Sequence, residues 1–215
     1  MITFTQLFSF LLAAVLITAS PGPDNLLVLS MGMSKGRLQG IVFGLGCALG
    51  CISHTLLAVL GVSAVIAASP LAFTALKWAG GTYLVWLGIQ ALRNAGKSGK
   101  AGNAHSPQNQ PTGPASLKKL FLKGMFANAI NPKVVLFFLS FLPQFVVTRQ
   151  GGVEWQLGIL GLVFTAQAAI LFGLLGYFAG TVGGWLNRNP SAGLWLDRVA
   201  GCVFIGLGVR IVASR

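Results

Sequence analysis

Ser20-Pro21-Gly22-Pro23-Asp24-Asn25 interrupts an apolar run that extends from about Phe4 to Met33 and carries one charge, Asp24. Two prolines and a glycine beside a carboxylate cannot continue a regular hydrophobic helix. Proline lacks the backbone N–H, and its ring clashes with the carbonyl one turn back. In hydrocarbon, backbone groups freed in this way are tolerated only where protein or a water-filled cavity covers them. The stretch therefore predicts a helix broken inside a membrane, with the break at the centre of a site.

Composition agrees with a membrane setting. Of 215 residues, 54% are hydrophobic and only 8% charged, and the mean hydropathy is +0.78. Soluble domains carry about 25% charged residues, and apolar stretches of about 20 mark transmembrane helices. The apolar runs are continuous, whereas β-barrel strands alternate in polarity over about ten residues. An integral, all-helical membrane protein follows. The net charge of +12 would point to nucleic acid in a soluble chain. Here the basic residues cluster in short loops between apolar runs, where they act as topology signals, and a nucleic-acid partner is not expected. Cys47, Cys51 and Cys202 all fall in apolar runs with no C-x-x-C spacing, so no zinc ribbon or thioredoxin-type pair is read. Residues 1–20 lack the basic start of a signal peptide, the first basic residue being Lys35, and read as a retained first helix.

Six hydrophobic segments are counted, at about 4–33, 38–66, 70–92, 120–147, 153–182 and 193–212. They divide the chain into a first three-helix unit (1–92), a basic linker (93–119) and a second three-helix unit (120–215). The linker is rich in Gly, Ser, Asn, Gln and Pro and has no apolar periodicity. Lys35, Arg37, Arg93, Lys97, Lys100, Lys118, Lys119, Lys123, Arg188 and Arg198 fall on the side of the 1–2, 3–4 and 5–6 loops. Arg149, Arg210 and Arg215 fall on the other, and Lys77 and Lys133 lie inside spans. The positive-inside rule then places the linker in the cytoplasm and both termini outside. The sixth segment is the least clean, with Asp197 and Arg198 near its start and Arg210 near its end.

The halves resemble each other. Ala19-Ser20-Pro21-Gly22-Pro23-Asp24 compares with Ala129-Ile130-Asn131-Pro132-Lys133, Gln39-Gly40-Ile41 with Gln156-Leu157-Gly158-Ile159, and Lys77-Trp78-Ala79-Gly80-Gly81 with Arg198-Val199-Ala200-Gly201-Cys202. The order is the same, at offsets of 109 (Pro23 to Pro132), 117 (Gln39 to Gln156) and 121 (Lys77 to Arg198). Units with an odd number of spans enter the membrane in opposite orientations. Six helices as two inverted three-helix repeats, with helices 1 and 4 broken at proline, is the plan of secondary transporters whose sites lie at the midplane.

Pro23 and Pro132 suit the first position of restarted helices, with Gly22 and Asn131 as caps. Asp24 is then favoured by its half-helix dipole, while Lys133 is disfavoured by its own and needs a counter-ion. Asp24 and Lys133 are expected to approach each other as transport-site charges, a purely structural ion pair being the alternative. His54 titrates near neutrality and is a candidate proton relay, although a lone histidine bonded to a neighbouring helix is the commoner case. Asn25, Asn128, Asn131 and Gln167 are candidate partners of a zwitterion, or interhelical glue. Gly36, Gly40, Gly44, Gly46 and Gly50 read as packing positions, and the five tryptophans as interfacial anchors.

Ser-Pro-Gly-Pro-Asp-Asn at 20–25, Gly44-Leu45-Gly46, and Asn131-Pro132-Lys133 followed by Phe137-Phe138-Leu139 resemble the LysE/RhtB-type family of bacterial amino-acid exporters, and the likeness spans the chain. The resemblance implies efflux of an amino acid across the cytoplasmic (inner) membrane, driven by the proton gradient. It puts Pro21, Gly22, Pro23 and Asp24 on one side of the transport site and Asn131, Pro132 and Lys133 on the other, and the adjoining Asn25 joins the candidate site by its own hydrogen-bonding capacity. With one intramembrane acid and a lysine beside it, a cationic substrate lacks surplus negative charge, which favours neutral substrates such as threonine, homoserine or leucine. The expected partners are the amino acid, protons and the bilayer, and a homodimer is compatible with the reading. Neither a cofactor, a metal nor an enzymatic activity is expected. The rival is a membrane redox protein passing electrons through Cys47, Cys51 and Cys202.

Overall fold

The computed structural model describes residues 2–95, 116–147 and 150–213, and every regular element among them is helical. The elements are α1 (Phe4–Ala19), α2 (Pro23–Lys35), α3 (Arg37–Leu57), α4 (Ser63–Ala68), α5 (Pro70–Asn94), α6 (Leu117–Ala129), α7 (Pro132–Leu136), α8 (Val153–Tyr177), α9 (Ala179–Arg188) and α10 (Pro190–Ala213). A π-helical turn, Ala58–Val62, joins α3 to α4. Another, Phe137–Phe141, carries α7 into a 3-10 turn at Leu142–Phe145. Thr3 and Gln6 start α1 by reciprocal side-chain-to-backbone bonds of 3.3 and 3.2 Å, so the first orphan donors are satisfied locally.

Both proline interruptions are real breaks. The α1–α2 pair bends by 57° and the pair formed by α6 and 132–145 by 51°. Pro23 and Pro132 each take the first turn of the restarted helix, where the missing N–H costs nothing. Arg37–Val65 and Val153–Tyr177 are long and apolar enough to cross a membrane, and each bent pair passes the same test as a unit. The expected third and sixth segments form helices α5 and α10, of 25 and 24 residues, but neither is apolar enough to count as a membrane span. Lys77 lies within α5, and Asp197, Arg198 and Arg210 within α10, which is the physical reason. The expected fifth segment also divides, since its helix stops at Tyr177 and α9 begins at Ala179. Most of the expected linker, 96–115, lies outside the described residues.

Glycines set the packing, and their partners give the helix directions. A Cβ on Gly40 would fall 3.1 Å from the Gly176 Cα, one on Gly44 2.8 Å from the Phe172 carbonyl, and one on Gly161 2.4 Å from Thr55. The numbers rise on α3 as they fall on α8, so the two helices are antiparallel. Gly81 with Gly208 and Gly88 with Gly201 make α5 and α10 antiparallel by the same reasoning. Gly46 meets Phe121 and Gly50 meets Met125, so α3 and α6 run parallel. The four-residue glycine pattern therefore serves two faces of α3, one for α8 and one for α6. Gly36 is different: it is the turn between α2 and α3, with φ +106, a backbone that a side chain would strain.

The interior is rich in aromatic rings, with Phe10, Phe137, Phe138 and Phe141 fully or almost fully buried. The outer surface is apolar, with Leu60, Leu71, Ile130, Trp155 and Ile170 all exposed, as a lipid-facing surface requires. All five tryptophans are exposed.

Candidate functional site

Each proline leaves a carbonyl one turn back without its donor, and the site is built from the groups that replace those donors. In the first half, Ile17 would have paired with the nitrogen of Pro21. Its carbonyl instead accepts from the Ser20 hydroxyl at 2.8 Å. The Thr18 carbonyl, next along, accepts from Asn25 Nδ2 at 2.9 Å. In the second half, Asn128 would have paired with Pro132. Its carbonyl accepts from the Asn131 backbone N–H at 2.8 Å and lies 3.0 Å from His54 Nε2. A carbonyl can only accept, so Nε2 carries the proton and donates. His54 is thus bound to the carbonyl that Pro132 orphans, and it does not line the cavity between the breaks.

The two charges cross between the halves. Lys133 sits in the first turn of α7, where the helix dipole opposes a cation. Its side chain leaves that end and donates to the Ser20 carbonyl and hydroxyl, both at 2.9 Å, at the C-terminal end of α1. There an orphan carbonyl and the negative end of a dipole both favour an ammonium. The Lys133 Nζ also lies 5.2 Å from the centre of the Phe204 ring, within cation–π range. Gly22 makes the crossing possible, since a Cβ there would stand 3.1 Å from the lysine nitrogen and 3.4 Å from its Cδ. Asp24, in the first turn of α2, accepts a 2.7 Å bond from Asn128 Nδ2 in the last turn of α6. Its second oxygen, Oδ1, has no hydrogen-bond partner among the described residues.

Asp24, Lys133 and Asn128 are 3%, 8% and 0% exposed, and all three line one cavity. The expectation of an approach between Asp24 and Lys133 needs a refinement: they share the cavity, but no ion pair joins them among the described residues. Each is held by a neutral group from the other half. Gly22, Asn25 and Asn131 line the same space. Pro21, Pro23 and Pro132 shape it through the backbone, and Asn131 caps α7 by accepting from the Lys133 N–H at 3.0 Å. The cavity holds about 20 Å³, room for about one water and far too little for an amino acid. Any larger ligand requires the broken helices to part.

The sequence marks Ser20 only as part of the break and Asn128 only as one of four candidate partners of a zwitterion, with interhelical glue as the alternative, yet these two hold the charges. Asn128 stands one turn before Pro132, so the orphan-carbonyl argument marks its position without marking its side chain's partner. Gln167 Nε2 donates to the Thr18 hydroxyl at 2.9 Å beside the cavity, while its Oε1 has no partner among the described residues. Phe137, Phe164 and Phe172 also line the cavity, together with Ile17, Thr18, Cys51 and Val134. Among the described residues no group of three or more His, Cys, Asp or Glu could hold a metal. Cys47 and Cys51 are buried, Cys202 is exposed, and all three are free thiols. Cys51 lies 3.5 Å from Asn128 Oδ1. The redox reading finds no support in this arrangement.

Membrane-length helices, two of them broken, around buried and oppositely charged groups define a membrane protein with an enclosed polar site at its helix breaks. Comparison with known sequences gives the family. The sequence model of the LysE type translocators matches residues 15–215, and the chain belongs to that family. It is 29% identical over 214 residues to the "Homoserine/homoserine lactone efflux protein" of Salmonella typhimurium, covering 99% of this chain and 98% of that one. It is 31% identical over 197 residues to the "Threonine efflux protein" of Escherichia coli K12, covering 91% and 92%. An "Uncharacterized membrane protein" of Vibrio cholerae is 30% identical over 209 residues, covering 96% of each. No solved structure matches the chain.

Proposed function

We propose that this translocator exports a neutral amino acid of the threonine, homoserine or leucine type across the inner membrane in exchange for protons. The observation that carries the reading is the crossed placement of Lys133 and Asp24 on one enclosed cavity, and the names of the efflux relatives agree with it. In the open form Lys133 exchanges Ser20 for the substrate carboxylate. Asp24, with one oxygen unpartnered among the described residues, takes the substrate ammonium or a proton. Protonation from outside removes the charge that Asn128 holds across the break, releases the substrate and lets the halves rock.

The architecture proposed with this function is six spans in two inverted three-helix repeats. Its support is directional. Antiparallel α3–α8 and α5–α10 and parallel α3–α6 are the relations that spans 2–5, 3–6 and 2–4 have in such a repeat. Under this plan the linker is cytoplasmic and both termini are outside.

Uptake of radiolabelled threonine, homoserine, leucine and lysine into inverted vesicles with an acidified lumen tests the function. Accumulation of at least one neutral amino acid is expected, falling to background with Asp24→Asn and with Lys133→Ala. Absence of accumulation for the whole panel overturns the substrate class. Normal transport by well-expressed variants overturns the site.

A further inference from the structure

A second and larger cavity lies at the end of the bundle that carries the N-terminus. It holds about 380 Å³, within the roughly 300–1,000 Å³ of small-molecule sites. Its walls are Thr3, Thr5, Gln6 and Ser9 of the first helix and its cap, Phe141, Gln144, Phe145 and Val147 after the second break, and Arg210 with Ile211 on α10. Polar groups on three separate elements face one space. Such groups are costly against lipid and natural around water. Arg210 is the one charged side chain in the described lining, and none of the described lining residues is acidic. Gln6 anchors the wall by donating to the Phe145 carbonyl, and it lies 3.4 Å from the Gln156 side chain.

This cavity and the central one are separated by a short aromatic stack. Phe137 lines the central cavity and Phe141 the outer one, with ring centres 5.0 Å apart on the π-helical turn. Phe10 closes the side, 6.4 Å from Phe137 and 5.3 Å from Phe145. From Ile17 at the central cavity to Ser9 at the outer one is eight residues of α1, about 12 Å. A ligand leaving the central site past Phe137 and Phe141 would enter the outer cavity.

We propose that the outer cavity is an exit vestibule with its own substrate subsite, in which Arg210 binds the carboxylate of the departing amino acid. The guanidinium offers a planar, permanently charged fork that matches a carboxylate. The Thr, Ser and Gln groups around it can accept from the ammonium. This deepens the export reading and rests on it. The vestibule gives external amino acid a place to compete with release, so it is a site of product inhibition from outside.

The test labels Ser9→Cys, in a Cys202→Ser background, with a small membrane-impermeant methanethiosulfonate applied to right-side-out vesicles. Thr5→Cys serves as a second reporter where Ser9→Cys folds poorly. Labelling is expected without added ligand, and saturating threonine should slow it at least threefold. Threonine amide, which lacks the carboxylate, should not. Arg210→Gln should abolish the protection, Arg210→Lys should keep part of it, and Lys133→Ala should leave it in place. Failure to label from outside, protection that ignores Arg210, or protection lost with Lys133→Ala overturns the vestibule. Inverted-vesicle transport by the wild-type protein is scored separately. Loss of Arg210-dependent protection with transport intact sinks only the vestibule, and absent transport sinks the export reading.

Discussion

Asn128 does two jobs with two atoms. Its carbonyl, orphaned by Pro132, is bound to His54, and its amide holds the Asp24 carboxylate across the halves. Replacing it with alanine keeps the first and removes the second, leaving a buried carboxylate without its donor. A buried group that loses its partner costs about 1–3 kcal/mol, and more when charged. Asn128→Ala should therefore lower the thermal midpoint of the detergent-purified protein by several degrees, and Asn128→Asp, which sets one carboxylate against another, should lower it further. A midpoint equal to wild type for both would mean that the Asp24–Asn128 bond contributes nothing. These partners explain what was hidden at the residue level. Asp24, Pro132 and Lys133 stand out because charge and proline are rare in apolar runs. Ser20 and Asn128 are ordinary residues until a partner more than 100 positions away is brought to them.

At the level of elements, the broken helices were readable because a missing N–H is a local fact of covalent chemistry. Continuous hydropathy marked the two bent pairs and the two long apolar helices, while the third and sixth segments form helices that carry charges and the fifth divides after Tyr177. The direction in which a helix face looks is not local. The glycines of α3 share one spacing yet divide between α8 and α6, and Gly36 belongs to a turn. A paired substitution checks this assignment. A Cβ on Gly46 would fall 2.1 Å from the Phe121 carbonyl oxygen, which α6 can relieve only by moving, whereas nothing lies within 4 Å of one on Gly173. Gly46→Ala should destabilise by about 1–3 kcal/mol as an overpacked contact. Gly173→Ala should be neutral or stabilise by up to about 1 kcal/mol, as expected for glycine in a helix interior. Equal midpoints for the two variants would refute the close α3–α6 packing.

For the whole molecule, the uneven distribution of basic residues carries the prediction of orientation. Under the proposed topology ten Lys and Arg fall on the linker side against three on the other. Under the same proposed topology the aromatic stack and the outer cavity stand at the end opposite the linker, and export from cytoplasm to exterior would run from the basic side to the sparsely charged one. Alkaline phosphatase fused after Arg215 should be active, and the same enzyme inserted at about residue 105 should be silent. The reverse pattern would invert the topology and turn the vestibule into an entrance.

The crossed bonds also set a timetable for making the protein. Asp24 leaves the ribosome 104 residues before Asn128, the group that will hold it. At roughly 5–20 residues per second, that is about 5–20 s. Through that interval the first half has a broken helix and an uncompensated acid in or near the bilayer. Ser20 waits a similar time for Lys133. Neither crossed bond can close within one half alone, so Asp24 and Ser20 gain these partners only once residues 128 and 133 have been made.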